Sequence, residues 1–215
     1  MTKNPIIKVI NIQKNIKKKN ILNNISFEVD EGDMVGIVGK NASGKSMLYK
    51  AISGLITLSG GEIIIDDINI TKKNVFPKDL GILIEAPGFL PQFSGYKNLK
   101  LLADIRGCID PNRIRETMQQ VGLNPDDNLK YKKYSLGMKQ KLGIAQAIME
   151  HPKILLLDEP MNNLDNESIL QMRELFKSLN ANGTTILLTS HNREDVELLC
   201  NKVYKIQNGL LEGVI

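Results

Sequence analysis

One segment constrains the fold of this chain more than any other. Residues 39–46 read Gly-Lys-Asn-Ala-Ser-Gly-Lys-Ser and match the pattern G-x-x-x-x-G-K-[ST]. The apolar residues 34–38 precede the segment, and apolar side chains at helical spacing follow it from Met47 to Ile52. A strand before the motif and a helix after it are the context that a phosphate-binding loop requires. The segment therefore predicts an α/β nucleotide-binding fold.

The residues of this loop predict how it binds phosphate. Its glycines let the backbone curl so that successive N–H groups point at the β- and γ-phosphates, at the positive end of the following helix. Lys45 would place a positive charge on those oxygens and assist catalysis, and the Ser46 hydroxyl would ligate Mg²⁺. Every residue of the loop is expected to contact the nucleotide, which we expect to be ATP: Gly39, Lys40, Asn41, Ala42, Ser43, Gly44, Lys45 and Ser46.

Acidic residues follow a second apolar strand. Residues 154–157 are Ile-Leu-Leu-Leu, and Asp158 and Glu159 come next. Ligands of α/β folds bind at the carboxyl ends of the strands, so Asp158 would hold Mg²⁺, directly or through water. Glu159 would accept a proton from the water that attacks the γ-phosphate, or orient that water. A plain turn after a core strand is the structural alternative, but a phosphate loop in the same chain favours the metal site.

His191 follows a third apolar strand, residues 185–189. A histidine at the end of a strand is more often structural than functional, so its assignment depends on the other motifs. With those motifs present, we predict that His191 is catalytic and hydrogen-bonds a γ-phosphate or the Glu159 carboxylate.

The order of strand and helix patterns predicts the fold class. Strand patterns separated by Gly, Asn and Asp fill the first part of the chain, and helical spacing dominates from about residue 87 to 149. Strand then alternates with helix to the end. We expect an α/β P-loop NTPase core with a mostly parallel sheet, an N-terminal antiparallel β subdomain and an inserted helical subdomain. A single domain would cover residues 1–215, with its core at 1–86 and 151–215 and the helical subdomain at about 87–150.

Composition excludes several classes of protein. The chain is 42% apolar and 24% charged, with a net charge of +4, too small an excess to argue for nucleic acid. Cys108 and Cys200 lie far apart without metal-binding spacing, which suits a reducing compartment. No apolar stretch approaches membrane-spanning length, and the N-terminus lacks the apolar core of a signal peptide. We therefore expect a cytoplasmic protein without a nucleic-acid partner. If it functions at a membrane, another chain would have to span the bilayer.

One further motif selects the family. Residues 134–140, Tyr-Ser-Leu-Gly-Met-Lys-Gln, precede a helical pattern that runs to Ile148. The segment resembles the signature sequence of ABC ATPases, in a variant of the usual Leu-Ser-Gly-Gly-Gln. A plain helix N-cap would explain Ser135 but not the whole series. The order of the remaining motifs resembles the same family along the chain: residues 39–46, Glu85, residues 135–140, Asp158 with Glu159, residues 162–165, and Ser190 with His191.

The resemblance implies an ATPase whose hydrolysis powers a membrane transporter, peripheral on the inner face of the plasma membrane. It implies that two such domains close head-to-tail over two ATP molecules. The second domain would be another copy of this chain or a homologous ATPase. Ser135, Gly137 and Gln140 of one copy would bind the nucleotide held by the other, with residues 162–165 at the interface. The alternative is an ABC protein acting on ribosomes or DNA. Such proteins usually carry two domains or long insertions, which this chain lacks. The signature and His191 argue against another P-loop enzyme, such as a small-molecule kinase.

Two positions depart from the family pattern. Most members carry Gln where this chain has Glu85, and we hypothesise that Glu85 ligates or gates the metal. The surrounding residues 84–89 look like those of the bacitracin-resistance and lantibiotic-immunity exporters, which implies export of an antimicrobial peptide or a similar substrate. Ile16 stands where the family stacks an aromatic ring on adenine, so we expect looser base selectivity.

Three aromatic residues, Phe89, Phe93 and Tyr96, follow Glu85 within a stretch interrupted by Pro and Gly. Apolar side chains on a loop form either a docking surface or a satellite cluster beneath the loop. By resemblance, a membrane subunit inserts its coupling helix here, which favours docking.

Overall fold

Strands and helices alternate along the chain in the order that the motifs predict. The computed structural model describes residues 5–17, 19–73, 75–85 and 88–214. Its strands are β1 (Pro5–Ile16), β2 (Lys19–Asp30), β3 (Met34–Val38), β4 (Gly60–Ile65), β5 (Ile68–Asn69), β6 (Leu80–Leu83), β7 (Ile154–Leu157), β8 (Thr185–Thr189), β9 (Lys202–Gln207) and β10 (Leu210–Val214). Its helices are α1 (Lys45–Ile52), α2 (Ile70–Lys73), α3 (Gly95–Arg106), α4 (Pro111–Gln120), α5 (Leu136–Ile148), α6 (Asn166–Ala181) and α7 (Arg193–Leu199), with a short 3-10 helix at Tyr131–Lys133.

A six-stranded sheet, in the order β10-β9-β3-β8-β7-β6, forms the centre of the molecule. All neighbours pair in parallel except β10, which runs antiparallel to β9. Strands β3, β7 and β8 are short apolar runs and are almost completely buried, as expected of strands covered on both faces. Because their carboxyl ends lie at one edge, the three segments that follow them meet there. The predicted mostly parallel sheet is confirmed.

The core lies on both faces of this sheet. Side chains of β7 alternate between the faces, so that Ile154 and Leu156 join one hydrophobic cluster while Leu155 and Leu157 join the other. The first cluster packs against the antiparallel sheet and α1, and the second packs against the helices that follow.

The second sheet is antiparallel, in the order β2-β1-β4-β5. It comes entirely from the first part of the chain and confirms the predicted N-terminal β subdomain. Strands β1 and β2 each span 12 residues, because hairpin pairing carries the ladder outwards to Ile16 and Lys19.

Helices α3, α4 and α5 lie between β6 and β7 in sequence and form the predicted helical insertion. Side chains that accept hydrogen bonds from the backbone fix where α3 and α4 begin: Ser94 accepts from the Lys97 N–H, and Asp110 accepts from the Arg113 N–H. The predicted boundary at residues 86–87 falls on two residues outside the described part. The division into a core at 1–86 and 151–215 and a subdomain at about 87–150 therefore stays a prediction.

Strand β6 was not recognised as a strand in the sequence. Gly81 explains its place in the fold, because a Cβ there would lie 2.0 Å from the Ala147 carbonyl oxygen. The bare backbone of Gly81 lets α5 pack directly on the edge of the sheet.

Within the described residues, no helix is both long and apolar enough to cross a membrane.

Candidate nucleotide-binding site

The predicted phosphate loop runs from the end of β3 to the start of α1. A Cβ at Gly39 would lie 2.3 Å from the Ile206 carbonyl oxygen and 2.7 Å from Ser43 Oγ, so that position has no room for a side chain. Gly44 has φ 114°, a left-handed conformation that side chains rarely adopt. The two glycines are therefore needed for different reasons, close approach at Gly39 and backbone conformation at Gly44.

Lys45 lies inside the curl of this loop. Its Nζ donates to the Gly39 carbonyl at 2.7 Å and to the Lys40 carbonyl at 3.3 Å. It also lies 3.8 Å from Glu159 Oε1, and its side chain is only 7% exposed. A buried ammonium group needs nearby acceptors, and phosphate oxygens held by this loop would be within its reach.

Asp158 accepts hydrogen bonds from two hydroxyl groups, one on helix α1 and one on strand β8. Ser46 Oγ donates to Asp158 Oδ2 at 2.5 Å, and Thr189 Oγ1 donates to Asp158 Oδ1 at 2.7 Å. Thr189 also accepts from the Glu159 backbone N–H at 2.8 Å. This role of Thr189 was not predicted, and the signal that could have found it is a polar residue at the carboxyl end of an apolar strand.

Glu159 and His191 face each other, as predicted. The His191 backbone N–H donates to Glu159 Oε2 at 3.1 Å, and His191 Nε2 lies 2.9 Å from Glu159 Oε1. Among the described residues no group is aligned to donate a hydrogen bond to Oε1. Burial raises the pKa of the Glu159 carboxyl, while the charges of His191 and Lys45 oppose that effect. A carboxylate with a raised pKa is a better proton acceptor.

Glu159 also has a strained backbone. Its φ is 53°, in the left-handed region, which costs about 1–3 kcal/mol for a residue other than glycine. Such strain persists only where neighbouring contacts enforce it. The residue that the motifs assign to chemistry is therefore held in an unfavourable conformation by the packing around it.

The residues present fit a nucleoside triphosphate and Mg²⁺. A cavity of about 340 Å³ is lined by the loop, Asp158, Glu159 and His191, with Ile21 of β2 as an additional wall that the sequence did not reveal. Ser43 Oγ is buried in this lining without a hydrogen-bond partner among the described groups, as expected of a donor that phosphate would satisfy. Ser46 and Asp158 offer oxygens, the ligand type that Mg²⁺ prefers. The described residues contain no group of three or more His, Cys, Asp or Glu side chains that could hold a metal ion.

Comparison with known proteins agrees with this geometry. Residues 22–162 match the family profile described as ABC transporter. The chain belongs to the ABC transporter family. As an ATP-binding protein of that family, it binds ATP and hydrolyses it to power a membrane transporter, and the alternative of a ribosomal or DNA-acting protein is not favoured.

Individual relatives of this ABC protein cover nearly its whole length. It is 42% identical to the ABC transporter ATP-binding protein YybJ of Bacillus subtilis, over 96% of this chain and 95% of the relative. It is 34% identical to the lantibiotic transport ATP-binding protein SrtF of Streptococcus pyogenes, over 95% of this chain and 88% of the relative. A solved structure of the ATP-binding cassette MJ0796, dimeric in a post-hydrolysis state with ADP and Pi, superposes with a TM-score of 0.88 at 25% identity over 97% of each chain.

Two residues predicted from the ABC pattern lie outside the cavity. Glu85 pairs with Lys50 of α1 and is exposed, and it is not among the residues that line the cavity. Ile16, at the end of β1, is 41% exposed and does not line the cavity either. The metal role of Glu85 and the base contact of Ile16 stay predictions.

The ABC signature lies at the start of α5, away from the cavity of its own chain. Ser135 caps the helix, with its Oγ accepting from the Met138 N–H at 3.1 Å, and it is exposed, while Gly137 is half-buried. Gln140 donates from Nε2 to the carbonyls of Glu159 at 3.0 Å and Pro160 at 3.1 Å in the same chain. When Ser135 and Gly137 are aligned with the usual signature, Met138 takes the place of its Gln. A contact of Gln140 with a partner's nucleotide stays a prediction.

The aromatic residues after Glu85 do not form the exposed surface that the sequence favoured. Phe89 is 8% exposed and packs edge-on against Tyr131, with ring centroids 5.2 Å apart. Phe93 and Tyr96 are half-buried. The satellite-cluster alternative therefore describes Phe89 better, because its ring completes the core of the helical insertion.

A groove lies beside this loop instead. It has a volume of about 370 Å³ and is lined by side chains of α3, α5 and β6, with Phe89 as one wall. Leu55 and Leu90 on its rim are 49% and 45% exposed. Lys50 and Glu85 also line the groove, so it combines an apolar surface with an ion pair.

Proposed function

We propose that this chain is the ATPase of an exporter of antimicrobial peptides or similar molecules, working as a head-to-tail dimer at the cytoplasmic face of the membrane. The environment of the Glu159 carboxylate is the observation that supports the proposed ATP hydrolysis. This carboxylate is half-buried beside the phosphate loop, has a raised pKa, and lies within reach of His191 and Lys45.

These residues have distinct roles in hydrolysis. The Glu159 carboxylate accepts a proton from water as the water oxygen attacks the γ-phosphorus, and the bond to the ADP oxygen breaks to release ADP and Pi. His191 orients Glu159 through its backbone N–H, and Lys45 balances charge on the phosphates. Ser46 and Asp158 would hold Mg²⁺, which supplies charge neutralisation for the β- and γ-phosphates.

The dimer is proposed from the position of the signature. Ser135 and Gly137 lie at the N-terminus of α5, where free N–H groups and the helix dipole attract anions, yet neither lines the cavity of its own chain. A second copy placed head-to-tail would bring this helix end to the nucleotide. The dimeric arrangement of the MJ0796 cassette supports this reading. The isolated monomer is then expected to hydrolyse ATP poorly.

The membrane subunit is proposed to dock in the groove lined by Phe89 and rimmed by Leu55 and Leu90. An amphipathic helix from a permease suits such a groove, because apolar side chains fill it while polar ones meet the Lys50–Glu85 pair at its edge. The proposed substrate class follows from similarity to a lantibiotic transport protein and rests on that analogy.

Replacing Glu159 by Gln tests the catalytic proposal. Gln keeps the shape but cannot accept the proton, so kcat should fall by about 10²-fold or more while ATP binding persists. Glu116→Gln, an exposed change on α4, is the matched control and should leave both unchanged. Hydrolysis by Glu159→Gln at the unmodified rate would refute the assignment.

A second experiment tests export. The chain should co-purify with a membrane protein encoded beside it, and cells that lose it should become more sensitive to a lantibiotic. Unchanged sensitivity together with intact ATPase activity would reject the substrate class and leave the catalytic assignment standing.

A further inference from the structure

Gln140 connects two motifs within one chain. It lies in the second turn of α5, half-buried, and its Nε2 reaches the carbonyl oxygens of Glu159 and Pro160 at 3.0 and 3.1 Å. An amide nitrogen carries two hydrogens, one for each carbonyl. The side chain therefore ties the signature helix to the backbone that presents the catalytic carboxylate.

A second contact joins the same two segments one helical turn earlier. A Cβ at Gly137 would lie 2.9 Å from the Asn163 carbonyl oxygen, so the helix approaches this segment with bare backbone. Residues three apart share a helix face, and Gly137 and Gln140 thus place one face of α5 along residues 159–163. A shift at the start of α5 would be carried into that segment.

The segment has reason to need such support. Glu159 has φ 53°, and a strained backbone keeps its conformation only when its surroundings enforce it. Thr189 holds the Glu159 N–H from the side of β8, and Gln140 holds the Glu159 carbonyl from the side of α5. The peptide groups on both sides of the carboxylate are therefore anchored, each by a different element.

We propose that Gln140 is a positioning residue for Glu159 of its own chain, rather than a contact to the partner's nucleotide. The inference rests on the proposed head-to-tail dimer and on the catalytic role of Glu159. In that dimer, Ser135 and Gly137 engage the nucleotide of the opposite site, and Gln140 transmits the resulting position of α5 to the carboxylate of its own site. One helix then links the two ATP sites.

Mixed dimers distinguish action within a chain from action across the interface. Two copies with different tags are co-expressed and purified in tandem, and one copy carries Glu159→Gln so that only the other hydrolyses ATP. Gln140→Met, which keeps the length of the side chain but removes the donor, is then placed in either copy.

In the copy with the intact Glu159, Gln140→Met should lower kcat about ten-fold and leave KM for ATP within about two-fold, because misplacing a catalytic group affects the chemical step. In the copy with Glu159→Gln it should have little effect. A loss that is equal or larger in that second copy, or no loss in either, would overturn the proposal.

A variant series in the unmixed dimer separates hydrogen bonding from packing. Gln140→Glu is close in shape but presents acceptors to two carbonyls, so it should lose at least as much activity as Gln140→Met. Full activity in Gln140→Glu would overturn the hydrogen-bonding role. Gln119→Met, at an exposed position of α4, is the matched control for the substitution itself. If the Glu159→Gln homodimer hydrolyses ATP, the proposed function fails rather than this inference.

Discussion

Replacement of Arg173 by Met should destabilise the fold far more than an ordinary surface substitution. Arg173 Nη2 and Nε donate to Asp195 Oδ1 at 2.6 and 2.9 Å, and the two side chains are only 7% and 2% exposed. Removing one partner leaves the other charge buried, a loss of about 3–5 kcal/mol in the free energy of unfolding. Arg173 also contacts Glu194, but that carboxylate is 63% exposed and its contact adds little.

A double-mutant cycle tests the origin of this loss. Asp195→Asn removes the buried charge, so the double variant with Arg173→Met should recover a large part of the stability lost in Arg173→Met alone, as measured by urea unfolding. Additive losses, or a cost below about 1 kcal/mol for Arg173→Met, would refute the reasoning. Asp195 Oδ2 also accepts from Ser190 Oγ at 2.8 Å, directly before His191, so surviving Arg173→Met protein should show a lowered kcat.

Four further predictions concern the site and the surface. Burial raises the pKa of Glu159, and a protonated carboxyl group cannot accept the proton from water. As the pH is lowered, kcat should therefore fall at a higher pH than an ordinary glutamate would give, which a pH profile of kcat would show. Burial raises the pKa of Cys200 to about 12, so iodoacetamide at pH 8 should modify the exposed Cys108 first, as seen by mass spectrometry. Ile16→Tyr should raise the preference for ATP over a nucleotide with a poorer stacking base by about two- to ten-fold, measured as the ratio of the two Kd values. The same ratio in the variant and the unmodified protein would count against a base contact. Leu90→Asp should reduce coupling to the membrane subunit while leaving basal ATPase activity intact, which co-purification and turnover assays would check.

Much of the fold could be predicted because its signals are local. Strands β3, β7 and β8 are continuous apolar runs, and each ends in a polar segment that the sequence alone marks as functional. Parallel pairing then brings these ends to one edge, so the convergence of Lys45, Asp158, Glu159 and His191 follows from strand order. Strand β6 escaped because Gly81 interrupts its four residues, whereas β7 has the same length but is apolar throughout.

The sequence by itself thus determined the phosphate loop, the acidic strand end and the signature, since each is a contiguous pattern with a required neighbour on either side. The tertiary structure alone decided which partner each side chain takes. Thr189 meets Asp158 across neighbouring strands, Gln140 turns to the carbonyls after β7, and Phe89 enters the core instead of the surface. These contacts join residues far apart in the chain, and their choice depends on packing and on the need to satisfy buried polar groups, which no local pattern records.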